Sequence, residues 1–147
     1  MNRSDLDFIR QLNDRITGGL LHIAELKSKA YPGAIIYDDI GGSHPMPSNK
    51  IERIYCLIDQ EEKRINRLID KRYALKRQAI REIQSSGLDT AQRHILYLRY
   101  LSRDPRTGYA LEWSDGKRYV VKYHNIQDRR IRQLHHDAVR KLEHHNM

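Results

Sequence analysis

Along most of the chain, apolar residues return at three- and four-residue steps, the spacing that lays a single stripe on an α-helix. Ile9, Leu12, Ile16, Ile23 and Leu26 form the first stripe, with Gly19 where the repeat wants another apolar residue. Ser4 followed by Asp7 has the spacing of an N-cap pair, which predicts a helix starting there. Gly18 and Gly19 together cost about 2 kcal/mol of helix propensity against Ala, so the pattern predicts a kink or a close helix contact at that point. From Tyr31 to Ser48 the chain carries Pro32, Gly33, Gly41, Gly42, Pro45 and Pro47, a density of breakers that predicts a loop. Asn49 with Glu52 is a second capping pair, and no Gly or Pro follows until Gly87, which predicts one long helix. Ile51, Ile54, Ile58, Ile65, Leu68, Tyr73, Ile80 and Ile83 supply its apolar edge, over a rise of about 55 Å. The first helix, folded back antiparallel, is the cheapest partner for that edge, and any edge left uncovered invites a second copy of the chain.

Asp89 and Gln92 repeat the capping box and open a third helix with Ala91, Ile95, Leu98 and Leu101 on one face, closed by Asp104, Pro105 and Gly108. Tyr109 to Tyr123 reads two ways. Ser114 to Lys117 fits a hairpin turn between Tyr109–Trp113 and Arg118–Tyr123, or the start of a short helix, and local propensity leans to the hairpin. Gln127 to His145 is amphipathic, with Ile131, Leu134, Ala138 and Leu142 stepping three, four and four. The expected fold is all-α: a helical hairpin arm over 1–88 and a second helical unit over 89–147, with room for a short β-hairpin insertion.

Composition narrows what such a fold is for. Apolar residues are 39% and charged residues 31% of the 147, so the core is thin for the surface it must support, as in elongated helices. Lys and Arg number 27 against 19 Asp and Glu, a net charge of +8, and that excess favours a polyanionic partner. A single cysteine, Cys56, forms no intramolecular disulfide and is read as a small packed side chain. The chain shows neither a long apolar run nor a signal-peptide pattern, which points to a cytoplasmic protein with no membrane partner.

The last helix concentrates the charge. On a helical wheel with Ile131 at zero, Leu134, Ala138 and Leu142 lie within about 60° of it, and Arg129, Gln133, His136 and Arg140 fall between about 140° and 200°, with Arg132 near 100°. Arg bonds guanine bidentately and Gln does the same for adenine, so one exposed face offering both suits a major groove; the plainer reading is a solvated helix face. Val120, Val121 and Ile126 supply the short apolar element that a helix-turn-helix needs upstream. Base edges are assigned to Arg129, Arg132, Gln133 and His136, and phosphates to Gln127, Arg130, Arg140, Lys141, Arg118 and Lys122. A second strip, Lys63, Arg64, Arg67, Lys71, Arg72, Lys76, Arg77 and Arg81 against the single acid Asp70, reads either as a phosphate-contacting strip or as a solvated face.

Arg130-Ile131-Arg132-Gln133-Leu134 followed by Ala138-Val139-Arg140-Lys141-Leu142 resembles the recognition helix of the promoter-reading C-terminal domain of bacterial sigma factors, and Ile95 to Leu101 resembles that domain's preceding helix. A helical N-terminus, a loop with Gly41, Gly42 and Pro47-Ser48-Asn49, and a long charged helix complete a chain similar to the ArpU/RinA-like late-gene regulators of phages and prophages of Gram-positive bacteria. The resemblance implies binding to double-stranded DNA at a phage promoter and activation of late genes with host RNA polymerase. Two features depart from it: a longer segment between Tyr100 and Val120, and Asp128 before Arg129 where sigma factors place a basic residue before an acidic one.

Other chemistry finds little support. His124, His135, His136, His144 and His145 invite a metal, but two ligands on one helix face sit four residues apart, and position 140 is Arg140. Asp38 and Asp39 have no third acid or His spaced to join them and read as turn residues. Neither a Gly-rich phosphate loop nor a nucleophile elbow occurs, so no enzyme, metal or cofactor is expected. The competing assignment is a small-terminase-like DNA-packaging adaptor, a DNA-binding oligomer that needs no polymerase.

Overall fold

A computed structural model of the chain describes residues 1–30 and 48–145. The segment 31–47, with Asp38 and Asp39, and the Asn49 side chain of the second capping pair lie outside the described residues. The described chain is all-helical: α1 (Arg3–Ala30), α2 (Ser48–Ser85), α3 (Thr90–Leu96) running into a π-helical turn (Tyr97–Leu101), α4 (Trp113–His124) and α5 (Asp128–His145). None of these helices is long and apolar enough to cross a membrane.

The residues divide into two compact units, one made of 16–69 and the other of 1–15 with 70–147. The division falls inside α1 and α2, not at Gly87, because the first turns of α1 and the last turns of α2 contribute their apolar residues to the same core as α3 and α5.

In the 16–69 unit, Ile16, Ile23, Leu26 and Ala30 of α1 pack with Ile54, Ile58 and Ile65 of α2. The pairing of Gly19 with Ile65, and of Lys27 with Glu62 at 3.4 Å, makes the two segments antiparallel. Gly19 is buried, and a Cβ there would overlap the Ile65 side chain, so of the two expectations for the Gly pair it is the close contact that forms, with α1 unbroken across it. Cys56 is exposed, contrary to the packed position read for it, because Ile54 and Ile58 take the seam and leave the residue between them outside.

The second unit has two cores. Leu6 and Ile9 of α1, Ala79 and Ile83 of α2, Leu88, Leu96 and Tyr100, and Ala138, Val139 and Leu142 of α5 form one; Ile95, Val120 and Ile131 form the other, with Leu98, Trp113, Ile126 and Leu134 packed on it. α1 starts two residues earlier than Ser4 suggested. The reciprocal cap is Asn2 with Asp5, the Asp5 amide donating to Asn2 Oδ1 at 3.0 Å and the Asn2 amide to Asp5 Oδ2 at 2.9 Å. The Asp89/Gln92 box forms as read, with both arms present. Tyr73 is 62% exposed instead of edge-forming, since the α2 seam passes through Arg72 and Ala79. Arg72 Nη1 donates to the buried Asn13 Oδ1 at 2.9 Å, a polar layer within an otherwise apolar seam.

The preferred hairpin over 109–123 is replaced by α4. Val120 is fully buried against Ile95 and Ile131, and Gly116 lies beneath the Trp113 ring at a distance that leaves a Cβ only 3.0 Å from it, so tertiary packing selects the helix over local strand propensity. Val121, read as part of the same apolar element, is 39% exposed. A turn forms one step earlier: Arg103 and Ala110 make an isolated antiparallel bridge, with the Asp104 amide donating to the Tyr109 carbonyl at 2.8 Å. Three polar residues of α1 hold this segment. Asn13 Nδ2 donates to the Gly108 carbonyl at 3.0 Å, Arg10 to the Leu111 carbonyl at 3.2 Å, and Asp14 accepts from the Ala110 amide at 2.7 Å.

Candidate nucleic-acid interface

α4 ends at His124 and α5 begins at Asp128, so three residues, Asn125, Ile126 and Gln127, make the connection. Asn125 adopts the left-handed conformation (φ 51°), which lets the backbone reverse at the helix end, and half-buried Ile126 packs on the Ile95/Val120/Ile131 core. Both helices are thereby fixed through side chains from three segments. Ile131, His135, Ala138, Val139 and Leu142 form the buried side of α5, so the wheel reading of the stripe is extended by His135 and Val139.

Every residue assigned a nucleic-acid role is exposed: Arg129, Arg130, Arg132, Gln133, His136, Arg140 and Lys141 on α5, Gln127 before it, and Arg118 and Lys122 on α4. Their surroundings differ. Gln133 Nε2 donates to Asp137 Oδ1 at 3.0 Å, and Arg129 Nε to Gln127 Oε1 at 3.2 Å, so two side chains are already oriented by neighbours. Arg118 and Lys122 line one cleft together with Asp128 at the start of α5. Arg132 and His136 line a second cavity, and Arg140 and Lys141 a third, beside Gln92 and Asp137, where Lys141 Nζ lies 3.5 Å from Gln92 Oε1.

The histidines are dispersed among different partners. His135 Nε2 lies 2.7 Å from the Tyr100 hydroxyl, and burial, with Arg99, Arg3 and His136 nearby, pushes its imidazole down to about 4. A neutral His135 accepting from Tyr100 satisfies both buried groups, and burial raises the Tyr100 hydroxyl pKa. His94 Nδ1 and His124 Nε2 are 2.9 Å apart; burial and His124 lower the His94 pKa. His145 bonds Ser85. Among the described residues no three His, Cys, Asp or Glu side chains converge on a cation-sized site.

The sequence did not single out Arg3, Arg99, Trp113 or Lys117 as site residues, yet all four line the cavity of Arg132 and His136. Arg3 is more than a hundred residues from Lys117 in the chain, and no local pattern joins them. Compared with family models, curated proteins and solved structures, the chain matches none.

Proposed function

We propose that this chain is a sequence-specific regulator that binds double-stranded DNA through a helix-turn-helix made of α4, the Asn125–Gln127 turn and α5. The carrying observation is the exposed N-terminal half of α5, where Arg129 and Gln133 stand opposite the buried Ile131 and Arg132 lies exposed at the flank between them. The N-terminal half of a recognition helix is the part that reaches base edges, while the preceding helix crosses the backbone. On this reading Arg129, Arg132, Gln133 and His136 read bases, and Gln127, Arg130, Arg140, Lys141, Arg118 and Lys122 hold phosphates. The three-residue connection falls within the usual length for such a motif, and the α3–α4–α5 core supports it by fixing both helices.

The similarity to sigma-factor promoter readers and to ArpU/RinA-like regulators makes the specific assignment an activator of phage or prophage late genes, working in the bacterial cytoplasm with host RNA polymerase. The α1–α2 arm is assigned to self-association. Leu20, Leu21, Tyr55 and Leu57 support this, since all four are more than 40% exposed in the 16–69 unit and leave apolar surface for a second copy. The arm equally suits a packaging adaptor, which differs in stoichiometry and in needing no polymerase.

Footprinting of the purified protein on the DNA of its own phage or prophage tests the reading. Protection of a short site beside a late promoter is expected; uniform protection at all sequences, or none, contradicts it.

A further inference from the structure

A cavity of about 370 Å³ lies among the first turn of α1, the π-helical turn, α4 and α5, at the lower end of the range for small-molecule sites. Arg3, Arg99, Lys117 and Arg132 line it together with His135 and His136, and no carboxylate does. Trp113 supplies an aromatic wall, and the Arg99 guanidinium lies 4.9 Å over its ring. Arg99 Nε is buried without a hydrogen-bond partner. Lys117 and Arg132 make no ion pair among the described residues; Arg3 Nε lies 3.9 Å from Asp7 and the Arg3 amide donates to Glu143 Oε1 at 3.3 Å, and neither acid is in the lining. Four cationic groups around a partly enclosed volume repel one another more strongly than they would in open water. An anion with several acceptor oxygens relieves that repulsion and gives guanidinium donors a matching geometry, which is the chemistry of phosphate.

We propose that this cavity is a phosphate-binding site, with Arg3, Arg99 and Lys117 as its donors. The phosphate comes either from a DNA backbone or from a small free phosphate ester. The site itself does not rest on the DNA-binding reading. Its link to DNA does, because Arg132 and His136 belong to both surfaces.

Trp113 is the only tryptophan in the chain, so its emission reports on the cavity. The test titrates the full-length protein with inorganic phosphate and with tripolyphosphate, holding ionic strength constant with chloride. A saturable change in emission is expected, weakened by about tenfold or more in Arg99→Gln and in Arg3→Gln, and unaltered in Arg53→Gln, an exposed residue near the start of α2 that does not line the cavity. Arg3 is exposed, so Arg3→Gln carries the test if Arg99→Gln unfolds. A response no larger than that to chloride, or one equal in wild type and both cavity variants, overturns the proposal.

A second arm repeats the titration with duplex DNA bound. If the backbone fills the site, DNA suppresses the tripolyphosphate signal, and Arg99→Gln lowers the salt slope of DNA binding by about one. If a free ester fills it, the signal persists in the complex and the slope is unchanged. The first arm contains no DNA, so its failure and that of the DNA-binding reading are separately visible.

Discussion

Between residues 63 and 81, α2 carries eight Lys and Arg against the single acid Asp70; between 129 and 141, α5 carries five, and from sequence the two faces look alike. The protein treats them differently. On α2, Lys63 pairs with Asp59 at 3.0 Å, Arg64 clasps Glu61 through two nitrogens, and Arg72 bonds Asn13. Lys71 stands 4.9 Å over the Phe8 ring and Arg77 lies 5.6 Å from the Tyr73 ring. On α5 no Lys or Arg pairs with a carboxylate among the described residues; Arg129 and Lys141 meet only the neutral amides of Gln127 and Gln92. Counting charges therefore overstates what α2 offers a polyanion. A cation already paired or packed must give up that contact before it meets a phosphate, whereas an unpaired one has only its counterions and water to release.

The largest expected effect follows from this difference. Replacing Arg130, Arg140 and Lys141 together with Ala should lower the salt slope of DNA binding by about 3 and weaken affinity on the order of a hundredfold at 0.15 M salt, whereas Lys63, Arg64 and Arg67 replaced together should leave the slope unchanged. Equal slopes for the two triple variants, measured by anisotropy across salt concentrations, would erase the distinction between the faces.

The buried side of α5 sharpens the contrast through pH. His135 is held neutral down to about 4, against about 6.5 when unfolded, so between those values the unfolded chain binds more protons than the folded one. Its contribution is complete above about pH 6.5 and is lost as pH falls toward 4, a change of about 3 kcal/mol, with the lowered His94 acting in the same direction. Urea denaturation at pH 7 and at pH 4.5 checks this; equal stabilities would contradict the neutral Tyr100–His135 pair.

Smaller effects belong to α1 and α2. Gly19→Val should destabilise by about 1 to 3 kcal/mol, because the added branches meet Ile65, and thermal unfolding reads the loss. Asn13→Ala should cost about 1 kcal/mol by removing the acceptor for Arg72 and the donor to the Gly108 carbonyl, with no change in DNA affinity. A gain of affinity in that variant, from the freed Arg72, would move α2 into the binding surface.

Legibility followed the range of the interactions. The α5 stripe could be read because Ile131, Ala138 and Leu142 are buried at the helical period that the sequence displays, and the Asp89/Gln92 box could be read because its partners are three residues apart. α4 was misread because Tyr109, Trp113, Tyr119, Val120 and Val121 favour a strand locally, while the contacts that fix the helix come from Ile95, Leu98 and Ile131 elsewhere in the chain. The buried polar residues Asn13 and His135 were hidden for the same reason, since Arg72 and Tyr100 lie 59 and 35 positions away. In the cavity of Arg132, the contributions of Arg3 and Arg99 depend wholly on tertiary placement.

If the outer face of α5 reads sequence, its side chains carry the discrimination between DNA sites. The most direct test compares Arg132→Ala and Gln133→Ala with wild type on the footprinted site and on random duplex of equal length. Each variant should lose about 1 to 3 kcal/mol on the cognate site and little on random DNA. If both bind DNA with cognate-over-random discrimination unchanged, α5 is not the reader.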